Sequence, residues 1–215
     1  MIKLFCKFCF TLFVFLIISI PVSKAKPITF TINDELKRDN VSFTSDAPIE
    51  LIVGRTNKIT GKITIDDSLN LTKAPTTVSF NVDLSSIDTG IPLRNEHMRD
   101  NFLETKKFPT AVFKVIKIMP ASPAKLIDQK PLKLMAEGNL SIHGINVKKN
   151  IPVKITYFKE SDFTHHKFEH GNVIHIQSTF DVPLEEHKIK RPELIWHKLA
   201  DTVTVSVDAY AISKN

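Results

Sequence analysis

Apolar and polar residues alternate with period two along much of the chain. In Lys58–Asp66, Ile59, Gly61, Ile63 and Ile65 fall on one face and Thr60, Lys62 and Thr64 on the other. The same alternation runs through Thr77–Leu84, Leu132–Ile142, Ile151–Tyr157, Ile174–Val182 and Thr202–Ala211. Successive side chains of a strand point to opposite faces, so each segment is read as a strand with one apolar and one wet face. Such strands belong to antiparallel sheets, because parallel sheets are buried on both faces and lack the polar stripe. Weaker strands are expected at Val41–Thr44, Ile49–Arg55 and Ala111–Ile118. Without a regular βα alternation, the predicted fold is all-β: an antiparallel barrel of about eight strands, closed so that no edge is left bare.

Two stretches interrupt the alternation, and both read as short helical segments across barrel ends. Pro92 suits the first position of a helix, on which Met98 and Phe102, four apart, share a face. Pro192 can open another turn carrying Leu194, Ile195 and Trp196, the chain's one tryptophan.

The inward stripes supply a candidate wall. It comprises Phe43, Ile63, Phe80, Val82, Phe113, Leu134, Ala136, Leu140, Val153, Ile176, Phe180 and Val205. Small residues share the stripe, among them Gly61, Gly138, Ser178 and Ala209. They either fit the taper of a filled barrel or open an elongated apolar cavity; eight strands permit both. No carboxylate or histidine falls on the stripe of the six stronger strands, so such an interior offers dispersion and dryness but no acid, base or nucleophile. Burying one CH₂ contributes roughly 0.8 kcal/mol, so a five-carbon prenyl unit gains about 3–4 kcal/mol gross. Three or four such units offset an association cost of about 4–15 kcal/mol without a polar contact.

Composition adds a compartment. Of the 215 residues, the first 25 place Lys3 and Lys7 before an apolar run, Phe8 to Ile20, then Pro21 and Ser23-Lys24-Ala25. That is the layout of a cleavable secretory signal, and the run is short for a membrane span. Cutting after Ala25 leaves 190 residues, one domain over residues 26–215, with no stable membrane span. Both cysteines, Cys6 and Cys9, lie in the leader, so the mature chain has no disulfide, thiol nucleophile or thiolate ligand. Losing Lys3, Lys7 and Lys24 lowers the formal charge from +6 to +3. The remaining bases are scattered among acids, which argues against nucleic acid as a partner.

The stretch TGIPLRNEHMRDNFLETKKFPTAVFK and the later AEGNLSIHGINVKKNIPVKI carry a resemblance. The first holds Thr89-Gly90, Arg94, His97, Arg99, Lys107-Phe108-Pro109 and Phe113. The second holds Ala136, Gly138, Leu140, Ile142, His143 and Gly144. Together they resemble the YceI-like family of secreted lipid- and polyisoprenoid-binding proteins. The resemblance implies an extended lipocalin-like barrel with a long-chain isoprenoid or related amphiphile along its axis, and a bacterial periplasm as destination. It implies no cofactor; a polyprenyl lipid, quinone or fatty-acyl amphiphile is the expected guest, and a homodimer is left open. The chain departs from the family pattern in FKESDFTHHKFEHGN after Tyr157 and in KRPELIWH.

Each polar candidate has a structural alternative. Arg94, His97 and Arg99 either form a rim that meets a head group or tie the short helix to neighbouring strands. Used as a reaction centre instead, they would make the chain a small lipid isomerase or cyclase. No serine or acid is placed by sequence to complete a triad, so no catalytic residue is assigned. Trp196 is either a core residue or a lid over hydrocarbon. His143-Gly144 reads as a turn that ends a strand. His165, His166, His170 and His175 invite a periplasmic metal-binding reading, but their spacing matches no closed structural site, and a solvated loop is expected.

Overall fold

Closing a sheet of one-sided strands buries every apolar face at once. The computed structural model describes residues 26–74, 76–120, 124–168, 170–192 and 197–213; the proposed leader and Trp196 lie outside them. Ten strands follow in order. They are β1 (Ile28–Ile32), β2 (Asn40–Ala47), β3 (Glu50–Thr56), β4 (Ile59–Ile65) and β5 (Thr77–Asp83), then β6 (Thr110–Pro120), β7 (Pro131–Ile142), β8 (Ile145–Phe158), β9 (Val173–Pro183) and β10 (Thr202–Ser213). All pair antiparallel in the order β1-β4-β5-β6-β7-β8-β9-β10, and β10 returns to β1. The result is a closed eight-stranded barrel, as the alternation predicts.

The hairpin of β2 and β3 extends this ring. β2 pairs with β10 from Thr44↔Thr204 to Asn40↔Asp208, beyond the point where β10 meets β1. β1 and β2 thus form one interrupted stave, and β3 with β4 another. At the first break the Tyr210 N–H of β10 is left without a strand partner and donates to Asp39 Oδ1 at 2.8 Å. Asp39 is 2 % exposed. Its Oδ2 has no partner among the described residues. Burial pushes this carboxyl up to about 6.

The connections divide between two ends. At one end lie those after β4, β6 and β8. At the other lie the β2–β3 turn, the long β5–β6 connection, the His143-Gly144 turn and the segment before β10. The first end is sealed: Phe30, Ile32, Ile65, Leu71, Leu126 and Ile174 are all at most 2 % exposed. At the second end sits α1 (Pro92–His97), running into a wider π turn over Met98–Phe102. No helix among the described residues is long and apolar enough to cross a membrane.

Candidate ligand-binding cavity

Above the sealed end the barrel encloses a cavity of about 570 Å³, inside the range of about 300–1,000 Å³ common for small-molecule sites. All twelve wall residues expected from the inward stripes line it. Many are only half-buried, among them Phe80, Phe113, Val153, Phe180 and Val205, because their inner faces look into space and not into other side chains.

The register explains why bulky residues leave that space. Phe43 stands opposite Gly54 on β3, and Phe80 stands opposite Gly61 on β4. Phe113 lies over Gly138 of β7, diagonally across the pair. A methyl group on Gly61 would meet the Phe80 ring at 2.7 Å, and one on Gly138 would meet Phe113 at 2.8 Å. On Gly54 it would run into Phe43. The missing side chain lets each ring lie flat on the neighbouring strand instead of reaching across the bore. Of the two readings of the small residues, the cavity holds, with the glycines acting as beds for rings and not as voids themselves.

Polar side chains on the wall are few. Ser42 and Ser178 sit on strands, while Glu50, Thr89, Arg94, His97 and Lys198 gather at the α1 end. A chain of hydrogen bonds holds α1 there. Asp88 Oδ1 accepts from Gly90 N–H at 2.8 Å and Asn95 Nδ2 at 2.6 Å, and these donors hold the carboxyl below its usual range. Asn95 Oδ1 in turn accepts from the Thr89 N–H at 2.8 Å and hydroxyl at 2.7 Å. Arg94 donates through Nε to Thr89 Oγ1 at 2.9 Å and through Nη2 to the Thr89 carbonyl at 2.8 Å. Its Nη1 reaches Glu50 Oε1 at 2.7 Å, tying helix to hairpin.

The three rim candidates therefore separate. Arg94 lines the cavity but is committed to Thr89 and Glu50. His97 lines the mouth and is exposed. Arg99 is a correction: its guanidinium bonds the Ser85 carbonyl at 3.2 Å, and it does not line the cavity. Following α1 into the π turn carries it to the outer side. His143 closes the β7–β8 turn with φ 53°. Its Nδ1 meets the His187 carbonyl at 3.1 Å and its Nε2 meets Glu104 Oε1 at 3.0 Å, so it braces loops, as a turn residue should. Sequence reasoning missed Glu50, Asp88, Asn95 and Lys198; only the Asp88-Thr89-Gly90 turn carried a signal, that of an Asx turn.

The histidine-rich connection lies at the sealed end, away from the mouth. It is folded on one side, while His165, His166 and His170 are exposed, as a solvated loop implies. Ser161 and Thr164 form a capping box on α2 (Asp162–His165), and Thr164 and Phe168 are buried. Arg38 stacks 4.3 Å over Phe168. His175 is not part of this loop's cluster: it stacks on Tyr210 at 4.4 Å and pairs with Asp208 at 2.9 Å.

The family model of the YceI-like domain matches residues 30–211. The chain belongs to the YceI-like family. The resemblance carried by the two motif blocks is thus borne out. Among solved structures, this YceI-like barrel is similar to BcnA of Burkholderia cenocepacia, with a TM-score of 0.63 and 18 % identity, over 83 % of this chain and 99 % of that one. A polyisoprenoid-binding domain from Saccharophagus degradans, implicated in plant cell wall breakdown, gives a TM-score of 0.63 and 16 % identity, over 87 % and 99 %. A Campylobacter jejuni YceI protein gives 0.52 and 14 %, over 98 % and 100 %. At these identities the likeness is one of fold. No curated protein sequence matches the chain.

Proposed function

We propose that this YceI-like protein is an exported carrier that sheathes the hydrocarbon tail of a long-chain isoprenoid, quinone or fatty-acyl amphiphile, without transforming it. One observation carries the reading: an apolar cavity, sealed at one end, whose ionisable wall residues all stand at the other. A tail gains dispersion and loses water along such a wall, while a polar head rests at the mouth beside His97 and Lys198. Glu50, the one carboxylate among the described residues lining the cavity, already holds Arg94, so the arrangement favours holding over acid–base chemistry. The likeness to a domain described as polyisoprenoid-binding supports the guest class. The leader supports export, with the periplasm as destination.

Extraction of protein purified from its native host into organic solvent, followed by mass spectrometry, tests the reading. The expected result is a prenyl or acyl lipid near one per chain. No recovered lipid, together with no uptake of a prenyl probe by the stripped protein, would overturn it.

A further inference from the structure

The folding of the β8–β9 connection brings together side chains that the sequence leaves five residues apart. Glu160 follows the end of β8, His165 closes α2, and His170 precedes β9. Their ligand atoms all lie within 4.8 Å of one another, the one such group among the described residues. Glu160 Oε1 is 2.9 Å from His165 Nε2 and 3.6 Å from His170 Nδ1. The two imidazoles meet edge to face with centroids 4.8 Å apart.

We propose that Glu160, His165 and His170 form a binding site for a borderline divalent cation such as zinc or copper(II). Two imidazole nitrogens and a carboxylate oxygen are the donor set these ions take, at about 2.0–2.2 Å. Tetrahedral donors around such an ion stand about 3.3 Å apart. Glu160 Oε1 stands near that distance from each imidazole nitrogen, and side-chain rotations bring the third pair, within 4.8 Å, to it. Room exists for those rotations, since the His170 side chain is 85 % exposed and that of His165 37 %.

The backbone under the site is fixed. The Glu160 N–H donates to Asn172 Oδ1 at 3.0 Å, Tyr157 OH donates to the same oxygen at 3.0 Å, and the Asn172 N–H donates to Ser213 Oγ at 2.9 Å. The α2 cap and buried Phe168 anchor the segment from Ser161 to Phe168. Three protein donors leave the remaining coordination positions to water, the pattern of an exchangeable site and not of a closed structural one. An ion there would clip the start of the loop to its end. The proposal does not rest on lipid carriage, because the site lies at the opposite end of the barrel from the mouth.

Isothermal titration of the untagged, chelator-stripped chain with zinc chloride and with copper sulfate tests it. The expected result is one saturable site per chain. Even outer-shell changes typically cost about 10–100-fold in metal affinity, so His165→Ala/His170→Ala should weaken binding by at least about 100-fold. Glu160→Gln should weaken it less, and His166→Ala and His175→Ala should leave it unchanged. Copper(II) electron paramagnetic resonance should show nitrogen couplings that vanish in the double variant. No saturable heat, a double variant that binds like the parent, or loss of binding through His166 or His175 would overturn the assignment.

Discussion

At the sealed end, Leu71 and Leu126 are 2 % exposed and their neighbours Phe30, Ile65 and Ile174 are fully buried. At the mouth, Ile91 and Leu93 are 49 % and 61 % exposed, and a relay of hydrogen bonds from Asp88 through Asn95 and Thr89 to Arg94 and Glu50 holds the helix in place. Packing is non-directional and excludes water, so it seals. Hydrogen bonds fix an orientation without filling space, so they can frame an opening. Stability is thus concentrated at the floor and access at the mouth.

The most damaging test of that contrast is Leu126→Ala. Removing a buried leucine side chain costs about 2–5 kcal/mol, which urea unfolding would register as a lower midpoint. A loss below about 1 kcal/mol would mean that the floor is not a packed seal.

Acid and base should act on opposite halves. Asp39 lies at the break beside Tyr210, and burial raises its carboxyl from 3.8 to about 6. Its charged form is penalised in the folded state, so its contribution is full below about pH 4 and is lost as pH rises through about 6, a difference of about 3 kcal/mol. Asp39→Asn, which keeps the acceptor for Tyr210, should flatten that loss and leave the variant more stable at pH 7. His187 is fully buried near the mouth, and burial holds its imidazole below the ordinary 6.5. Its contribution is present above pH 6.5 and is lost as pH falls below it. His187→Gln should remove the acid-side slope and leave the Asp39 slope intact. Urea unfolding across pH 4–8 measures both, and a parent whose stability is flat there would contradict the pair.

Arg94→Ala should cost only about 1 kcal/mol, since the Glu50 pair is partly open to water. It should still speed the release of a fluorescent prenyl probe, because α1 loses its tie to the hairpin. Unchanged release would separate the helix from access. The smallest effect belongs to His97→Ala: stability within about 0.5 kcal/mol and unchanged lipid content by mass spectrometry. Loss of a turnover with retained lipid would instead favour the isomerase reading.

Much of the barrel was legible because one face of each strand is wet. The six clearly alternating segments are strands, as are the three weaker ones. β6 looked weak for a physical reason. Its register shifts between Val115 and Lys117, so Ile116 is 58 % exposed and the alternation changes phase there. The start of β8 was missed because Lys149 takes an inward-phase position and escapes to Glu186 at 2.6 Å. β1 was missed although Ile28, Phe30 and Ile32 alternate with Thr29 and Thr31, because five residues make a short signal. Whether the bore was empty was not legible, since it depends on which glycine faces which phenylalanine, and register is a property of the pairing. The mouth was half legible: the motif located α1, but only the fold could turn Arg94 inward toward Thr89 and Arg99 outward toward Ser85.

A bore stopped by Leu71 has a single doorway. On the proposed reading a guest slides in tail foremost and backs out head foremost. Any tail longer than the bore must then trail at the doorway, where exposed Ile91 and Leu93 already offer it a greasy sill.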